Sequence, residues 1–443
     1  MKKRMASILI AGAFAAAVLT GCGSSGTPAA ADTEKGETSG DAAEDAASSE
    51  ETAGEKLDYA GEIRVWTADS AVNFTMEQIE KFQKANPGIA NAVFTAEAVS
   101  ESDAADRMTA DAGDVADVYV FAQDQLARLA AAGVLAEAAP EYAETAQADN
   151  DEGSVLAATV GTTLYAYPLT SDNGYLMYYD KSVVTDPSDL DAVLADCEKA
   201  GKNFYMEINS GWYQTAFFFG TGCELSYETD SDGNFTGAEV DYASDKGVTA
   251  LREMIRLKNS SAFVNGSAAG DAEKIGAIVD GTWDAETVRE ALGDGYACAK
   301  LPSFRGSDGN TYQMSGFSGY RLIGVKPQED EEKERVCHAL AAYLSGGEVQ
   351  LSRYKAIGWG PSNRKAQQSE EVRADAALCA LNEQMLIDRP QGQYPGDYWT
   401  LATGLGDDVN TKTLNTKTSD ADLMAALQTF QDACISYAEG TIK

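Results

Sequence analysis

The chain has 443 residues, 44% of them hydrophobic, which is enough for two cores at roughly 100–200 residues per domain. Seventy acidic residues against 34 Lys and Arg leave a net charge of −36, a surface that repels nucleic acid and anionic lipid and excludes both as partners. His338 is the only histidine, so a serine or cysteine triad has a single base to draw on. One histidine also argues against a His-based metal site, and neither cofactor nor metal is expected.

The N-terminus begins Met1-Lys2-Lys3-Arg4, runs apolar from Ala6 to Leu19 and closes on Leu19-Thr20-Gly21-Cys22. A basic head, a short apolar middle, small residues and then cysteine resemble the lipoprotein export signal. The apolar run is about 14 residues, short of the ~20 that span a bilayer as a helix. Residues 1–22 are therefore expected to be signal peptide and lipobox, with Cys22 the site of lipid attachment. From Gly23 the chain is Gly, Ser, Thr, Ala and acid, with Lys35 and Lys56 the only basic residues up to Asp58. It buries too little apolar surface to offset the entropy of ordering, so 23–57 is expected to be a flexible acidic tether with a reach of about 30–35 Å. The remaining cysteines are Cys197, Cys223, Cys298, Cys337, Cys379 and Cys434, with no CxxC pair. Six cysteines pair in 15 ways that sequence alone does not separate, and free thiols are equally compatible.

The body opens in an α/β rhythm. Glu62–Trp66 predicts a strand. A helix follows from Thr75, with Gln78 three residues on as a capping box and Met76, Ile79 and Phe82 on one face; Asn86-Pro87-Gly88 stops it. Ala92–Val99 alternates as a strand, with Phe94 and Ala96 on one side. Val118–Phe121 predicts a buried strand, and the helix after it holds Leu126 and Leu129 and stops at Gly133. Strand, helix, strand, helix predicts a parallel sheet covered on both faces. A binding crevice in such a sheet lies beyond the carboxyl ends of the strands, where Trp66, Asp69 and Asp124 stand. A Trp there also serves as a core lid, and an Asp as a helix cap. Farther on, Glu334–Ser345 predicts a helix with Val336, Leu340, Tyr343 and Leu344 inward and His338 on the exposed side. Asp230-Ser231-Asp232-Gly233-Asn234 resembles a calcium loop, but Phe235 holds the sixth position, where glycine makes the sharp turn. An Asp-Gly hairpin is the better reading.

Several longer segments carry a resemblance. Ala116–Asp124 leads to Leu129–Leu135, and Leu164–Leu169 to Leu176–Lys181. Then come Asp280-Gly281-Thr282-Trp283-Asp284, Ala291–Asp294 and Lys300–Phe304. In order and spacing, over nearly the whole body, they resemble the maltose/maltodextrin-binding branch of the family 1 extracellular solute-binding proteins. That resemblance implies a two-lobed α/β fold of the periplasmic-binding-protein type II class, with hinged lobes and a ligand cleft between them. Residues 58–168 with 322–362 would form lobe 1, and 169–321 with 363–443 lobe 2. The chain would cross near Pro168–Ser171, Phe317–Arg321 and Trp359–Asn363. The resemblance also implies a monomeric receptor of an ABC sugar importer, not an enzyme, with an oligosaccharide ligand and permease subunits as partners. It would sit at the outer face of the cell membrane by its lipid alone.

A pyranose offers a C–H face for aromatic stacking and a rim of hydroxyls for carboxylates and amides. Trp212, Tyr213, Trp283, Tyr398 and Trp399 supply rings in the half assigned to the second lobe, and Gln123, Asp124, Asp172 and Asn173 supply polar groups in the first lobe or at the hinge. The resemblance puts the aromatic platform on Trp212, Tyr213, Trp283 and Trp399. It puts the first-lobe acid on Asp124 and the acid after the hinge on Asp172 or Asn173. The chain departs from the best-known relatives in its basic residues. Gln125 stands beside the first-lobe acid, and Ala68-Asp69-Ser70 stands near the first strand. Malto-oligosaccharide is the first expectation, a xylo- or galacto-oligomer the second. A surface glycoside hydrolase and a polysaccharide-binding adhesin are the alternatives from other classes.

Overall fold

The structure is a computed structural model that describes residues 56–110, 115–230 and 233–438. The export signal, Cys22 and nearly all of the acidic tether lie outside the described residues. We number the strands of the main sheets in chain order: β1 Glu62–Thr67, β2 Val93–Ala98, β3 Val118–Ala122, β4 Tyr167–Thr170, β5 Tyr175–Asp180, β6 Asn203–Met206, β7 Leu225–Thr229, β8 Phe235–Val240, β9 Phe263–Asn265, β10 Ile275–Gly281, β11 Tyr296–Ala299 and β12 Arg321–Val325.

The first sheet has the order β2-β1-β3-β12-β4. β1 pairs in parallel with β2 and β3, Val65 opposite Ala96 and Val118. β12 then runs antiparallel to both β3 and β4, so the opening α/β rhythm gives three parallel strands and the late returning strand makes the sheet mixed. Ile63, Val65, Val118 and Phe121 are fully buried in its core. The second sheet has the order β9-β6-β10-β5-β11, with β10 parallel to β6 and antiparallel to β5. Because β5 is buried on both faces, its alternate side chains enter different cores. Tyr175 and Met177 pack on one side, Leu176 and Tyr178 on the other. β7 and β8 form a hairpin across 230–234, with Gly233 at φ +84°, the turn geometry that favours glycine.

Two local expectations are corrected. The first helix is Val72–Ala85, three residues longer at its start than the Thr75–Gln78 capping box predicted. A 3₁₀ turn at Asp69–Ala71 runs straight into it through the Val72 N–H to the Asp69 carbonyl, so no side-chain cap is required and Thr75 lies buried inside the helix. His338 is buried, not exposed. Its helix, Glu331–Leu344, is covered by helix Pro140–Asp149 as well as by the sheet, and Nδ1 lies 3.0 Å from the Tyr167 hydroxyl. Burial drives its pKa down to about 4. The six body cysteines are free thiols.

The chain passes between the sheets three times, and the passages touch. Ser171 N–H donates to the Gly360 carbonyl at 3.0 Å, and Asn173 N–H to the Gly319 carbonyl at 3.2 Å. Glycine allows this closeness: a Cβ at Gly360 would stand 2.8 Å from the Asp172 Cβ, and one at Gly319 2.9 Å from the Asn173 carbonyl oxygen.

Candidate functional site

A cavity of about 690 Å³ lies between the two sheets, within the roughly 300–1,000 Å³ range of small-molecule sites. Its lobe 2 wall is aromatic. Trp283 follows β10, and its indole folds back over Gly281 so closely that a Cβ there would meet the ring at 2.1 Å. Trp283 remains 38% exposed. Trp212 lies 5.9 Å from it, centroid to centroid, and is steadied edge-on by Tyr175 at 4.6 Å. The Trp212 indole N–H donates to Gln391 Oε1 at 3.2 Å. Tyr213 anchors its hydroxyl on Asp280 at 3.2 Å. Trp399, in helix Gly396–Asn410, packs 4.8 Å from Tyr398 and 5.5 Å from Tyr394. These rings bury large, rigid, flat area on one side of the cavity.

The opposite wall is polar and comes from the loops after β1, β2 and β3: Asp69 and Ser70, Ser100 to Ser102, and Asp124 with Gln125. Asp124 is only 5% exposed. Burial pushes its carboxyl up to about 7, opposed by its own backbone hydrogen bond, by Arg128 and by the Trp399 indole across the cavity.

At the passages between the lobes stands Arg321, the first residue of β12. Its Nη1 meets the fully buried Asp172 at 2.5 Å, and its Nε meets Glu101 at 2.9 Å. Its guanidinium lies 4.6 Å from the Trp359 ring centroid and 5.7 Å from that of Trp283. Asp172 also accepts from the Gly360 N–H at 2.7 Å and the Thr282 hydroxyl at 3.2 Å. One buried ion pair therefore ties all three passages to both walls. The positive charge of Arg321 is matched by two carboxylates, so a ligand meets a polar, aromatic surface rather than a bare cation.

Residues 77–380 match the bacterial extracellular solute-binding protein family, more than half of the chain. The chain belongs to that family. Several solved structures share the fold of this solute-binding protein. The maltodextrin-binding protein of L. casei BL23, without ligand, is 22% identical with a TM-score of 0.72, over 86% of this chain and 99% of that one. A structure with acarbose is 28% identical with a TM-score of 0.73, over 85% and 98%. The Thermus thermophilus maltotriose-binding protein, bound with maltotriose, is 18% identical with a TM-score of 0.70, over 84% and 99%. No curated protein matches the sequence. Among the described residues, no helix is long and apolar enough to cross a membrane.

In this solute-binding protein the residues singled out from sequence divide into two sets. Asp69, Asp124, Asn173, Trp212, Tyr213, Trp283 and Trp399 share the cavity. Trp66, Gln123, Asp172 and Tyr398 stand behind its walls. Trp66 is buried in the lobe 1 core, with its indole N–H on Glu97 at 3.3 Å. Gln123 is buried before helix Leu126–Ala131. Tyr398 is buried in the lobe 2 core, its hydroxyl on the Gly211 carbonyl at 3.3 Å. Asp172 holds Arg321, and the neighbouring Asn173 is the residue that reaches the cavity. Sequence reasoning missed Arg321, Glu101, Trp359 and Gln391 as lining residues. Trp359 and Arg321 lie within or at the ends of the predicted crossings, and their place beside Gly358, Gly360 and Gly319 was the available signal.

Proposed function

We propose that this protein is the lipid-anchored receptor of an ABC sugar importer, with an uncharged oligosaccharide, malto-oligosaccharide first, as its ligand. The reading is carried by one observation: Trp212, Trp283 and Trp399 from separate lobe 2 segments face Asp69, Asp124 and Asn173 in a single cavity. The indoles match the C–H faces of successive pyranoses, and the carboxylates and amide match the hydroxyl rims. Structures of binding proteins with maltotriose and with acarbose support the choice of ligand. Ligand would stabilise the closed pose of the lobes, and the membrane permease would read that pose. A lipid on Cys22 and the acidic tether would hold the body at the outer face of the membrane.

Calorimetry of the purified protein with maltotriose, followed by product analysis, tests this. Heat of binding with intact trisaccharide is the expected result. Release of glucose would make the protein a hydrolase. Heat only with a xylo- or galacto-oligomer would move the ligand, and heat only with long polymer would make it an adhesin.

A further inference from the structure

The lobes also meet outside the ligand cavity. A lobe 2 segment, Gln391 to Gly396, lies against the turn and first helical residues that follow β3 in lobe 1. The Gln393 side chain makes both of its bonds there. Its Oε1 accepts from the Ala127 N–H at 2.9 Å, and its Nε2 donates to the Gln123 carbonyl at 2.9 Å. The Tyr394 N–H adds a bond to the Asp124 carbonyl at 3.3 Å. A second lobe 2 segment arrives at the same residue: a Cβ on Gly233 would stand 2.2 Å from the Ala127 carbonyl oxygen.

Ala127 is the second residue of helix Leu126–Ala131. Its N–H belongs to the first turn, where no intrahelical acceptor exists, and Gln125 makes no side-chain cap for it. The acceptor therefore comes from the other lobe. When the lobes part, the Ala127 N–H and the Gln123 carbonyl return to water, so each bond keeps only a modest net gain and the contact is reversible. Neither Gln393 nor Ala127 lines the ligand cavity.

We infer that Gln393 is a closure latch: a positioning residue that caps a lobe 1 helix from lobe 2 and so sets how long the closed form holds its ligand. The ligand half of this statement rests on the receptor reading above; the lobe contact does not. Two variants test it, Gln393→Ala and Gly233→Ala. The first removes both amide bonds, and the second places a methyl against the lobe 1 backbone at a positive-φ position, whose local turn strain is read separately by thermal unfolding. Small-angle X-ray scattering of the ligand-free proteins, thermal unfolding as a fold check, and stopped-flow tryptophan fluorescence with maltotriose are the measurements. Both variants are expected to raise the ligand-free radius of gyration. Gln393→Ala is expected to release maltotriose about ten-fold faster, two hydrogen bonds' worth, with association little changed and the saturated radius equal to wild type. Wild-type radius and release rate in both folded variants would overturn the latch. A wild-type protein that gives no maltotriose signal overturns the receptor reading for that sugar, and the ligand-free radii then decide the latch alone.

Discussion

Asp124 combines a cost to the fold with a use for the ligand. Its carboxyl is raised to about 7 by burial, above the ~3.9 of a free aspartate. Because the folded value is the higher one, its share of stability is complete below about pH 4 and is lost as pH rises through 7. Asp124→Asn removes most of that loss. The variant should match wild type in thermal unfolding near pH 4 and exceed it by up to about 4 kcal/mol at pH 8. It should also bind oligosaccharide more weakly, since a carboxylate accepts from a hydroxyl about twice as strongly as a neutral amide. Stability gained and affinity lost in one variant is the signature of a binding residue; equal affinity would assign Asp124 to the fold alone. The rings make the complementary case. Trp283→Ala and Trp399→Ala should each weaken oligosaccharide binding by about 1–2 kcal/mol, a stacking-sized loss, read by calorimetry on folded protein. Unchanged affinity in both would remove the aromatic platform from the site. The rings were legible in the sequence because Trp212, Trp283 and Trp399 each stand beside Tyr or Asp in distant segments that the resemblance assigns to the aromatic platform. Trp66 illustrates the limit. It stands at a strand end like a site residue, yet its indole packs in the first core and gives its N–H to Glu97 on the neighbouring strand.

At the scale of the element, the three passages act as one unit because Asp172 gathers them. It accepts from Arg321, from Gly360 and from Thr282, drawing on β12, on the Trp359–Asn363 passage and on the segment after β10. Truncating one partner of a buried ion pair strands the other charge. Asp172→Ala should therefore cost about 3–5 kcal/mol in urea unfolding, although Asp172 lies outside the cavity. A loss under about 1 kcal/mol would mean that Arg321 finds a new partner, and the passages would then be held by their backbone bonds. Much of this level was readable. Apolar periodicity placed the strands around Val65 and Val120, and the family resemblance, not composition, implied where the chain crosses. What sequence could not supply was the environment of each face. The Glu331–Leu344 helix looked one-sided until Pro140–Asp149 was found to cover its second face, which turned His338 from a surface residue into a buried one. Asp172 and Asn173 likewise differ by one residue of register, and the structure lines the cavity with Asn173 while burying Asp172 behind it.

For the whole molecule, the charge of −36 and the uncharged ligand proposed for it make opposite demands on salt. The surface field is long-ranged and falls off over a Debye length of about 10 Å at 0.1 M salt. The bonds proposed for the ligand are buried and short, and stacking on Trp212, Trp283 and Trp399 involves no net charge. Arg321, the cation of the cavity, is already matched by Glu101 and Asp172. Raising salt from about 0.05 M to about 0.5 M should therefore change oligosaccharide affinity by less than about two-fold, measured by titration calorimetry at fixed pH. A cationic ligand would behave otherwise, because the acidic body would gather it at low salt and release it as screening grows. An affinity that falls ten-fold across that range would thus assign the cavity to a positively charged ligand, with Asp69 and Asp124 as its counter-ions, and would set aside the neutral sugar while leaving the two-lobed receptor intact.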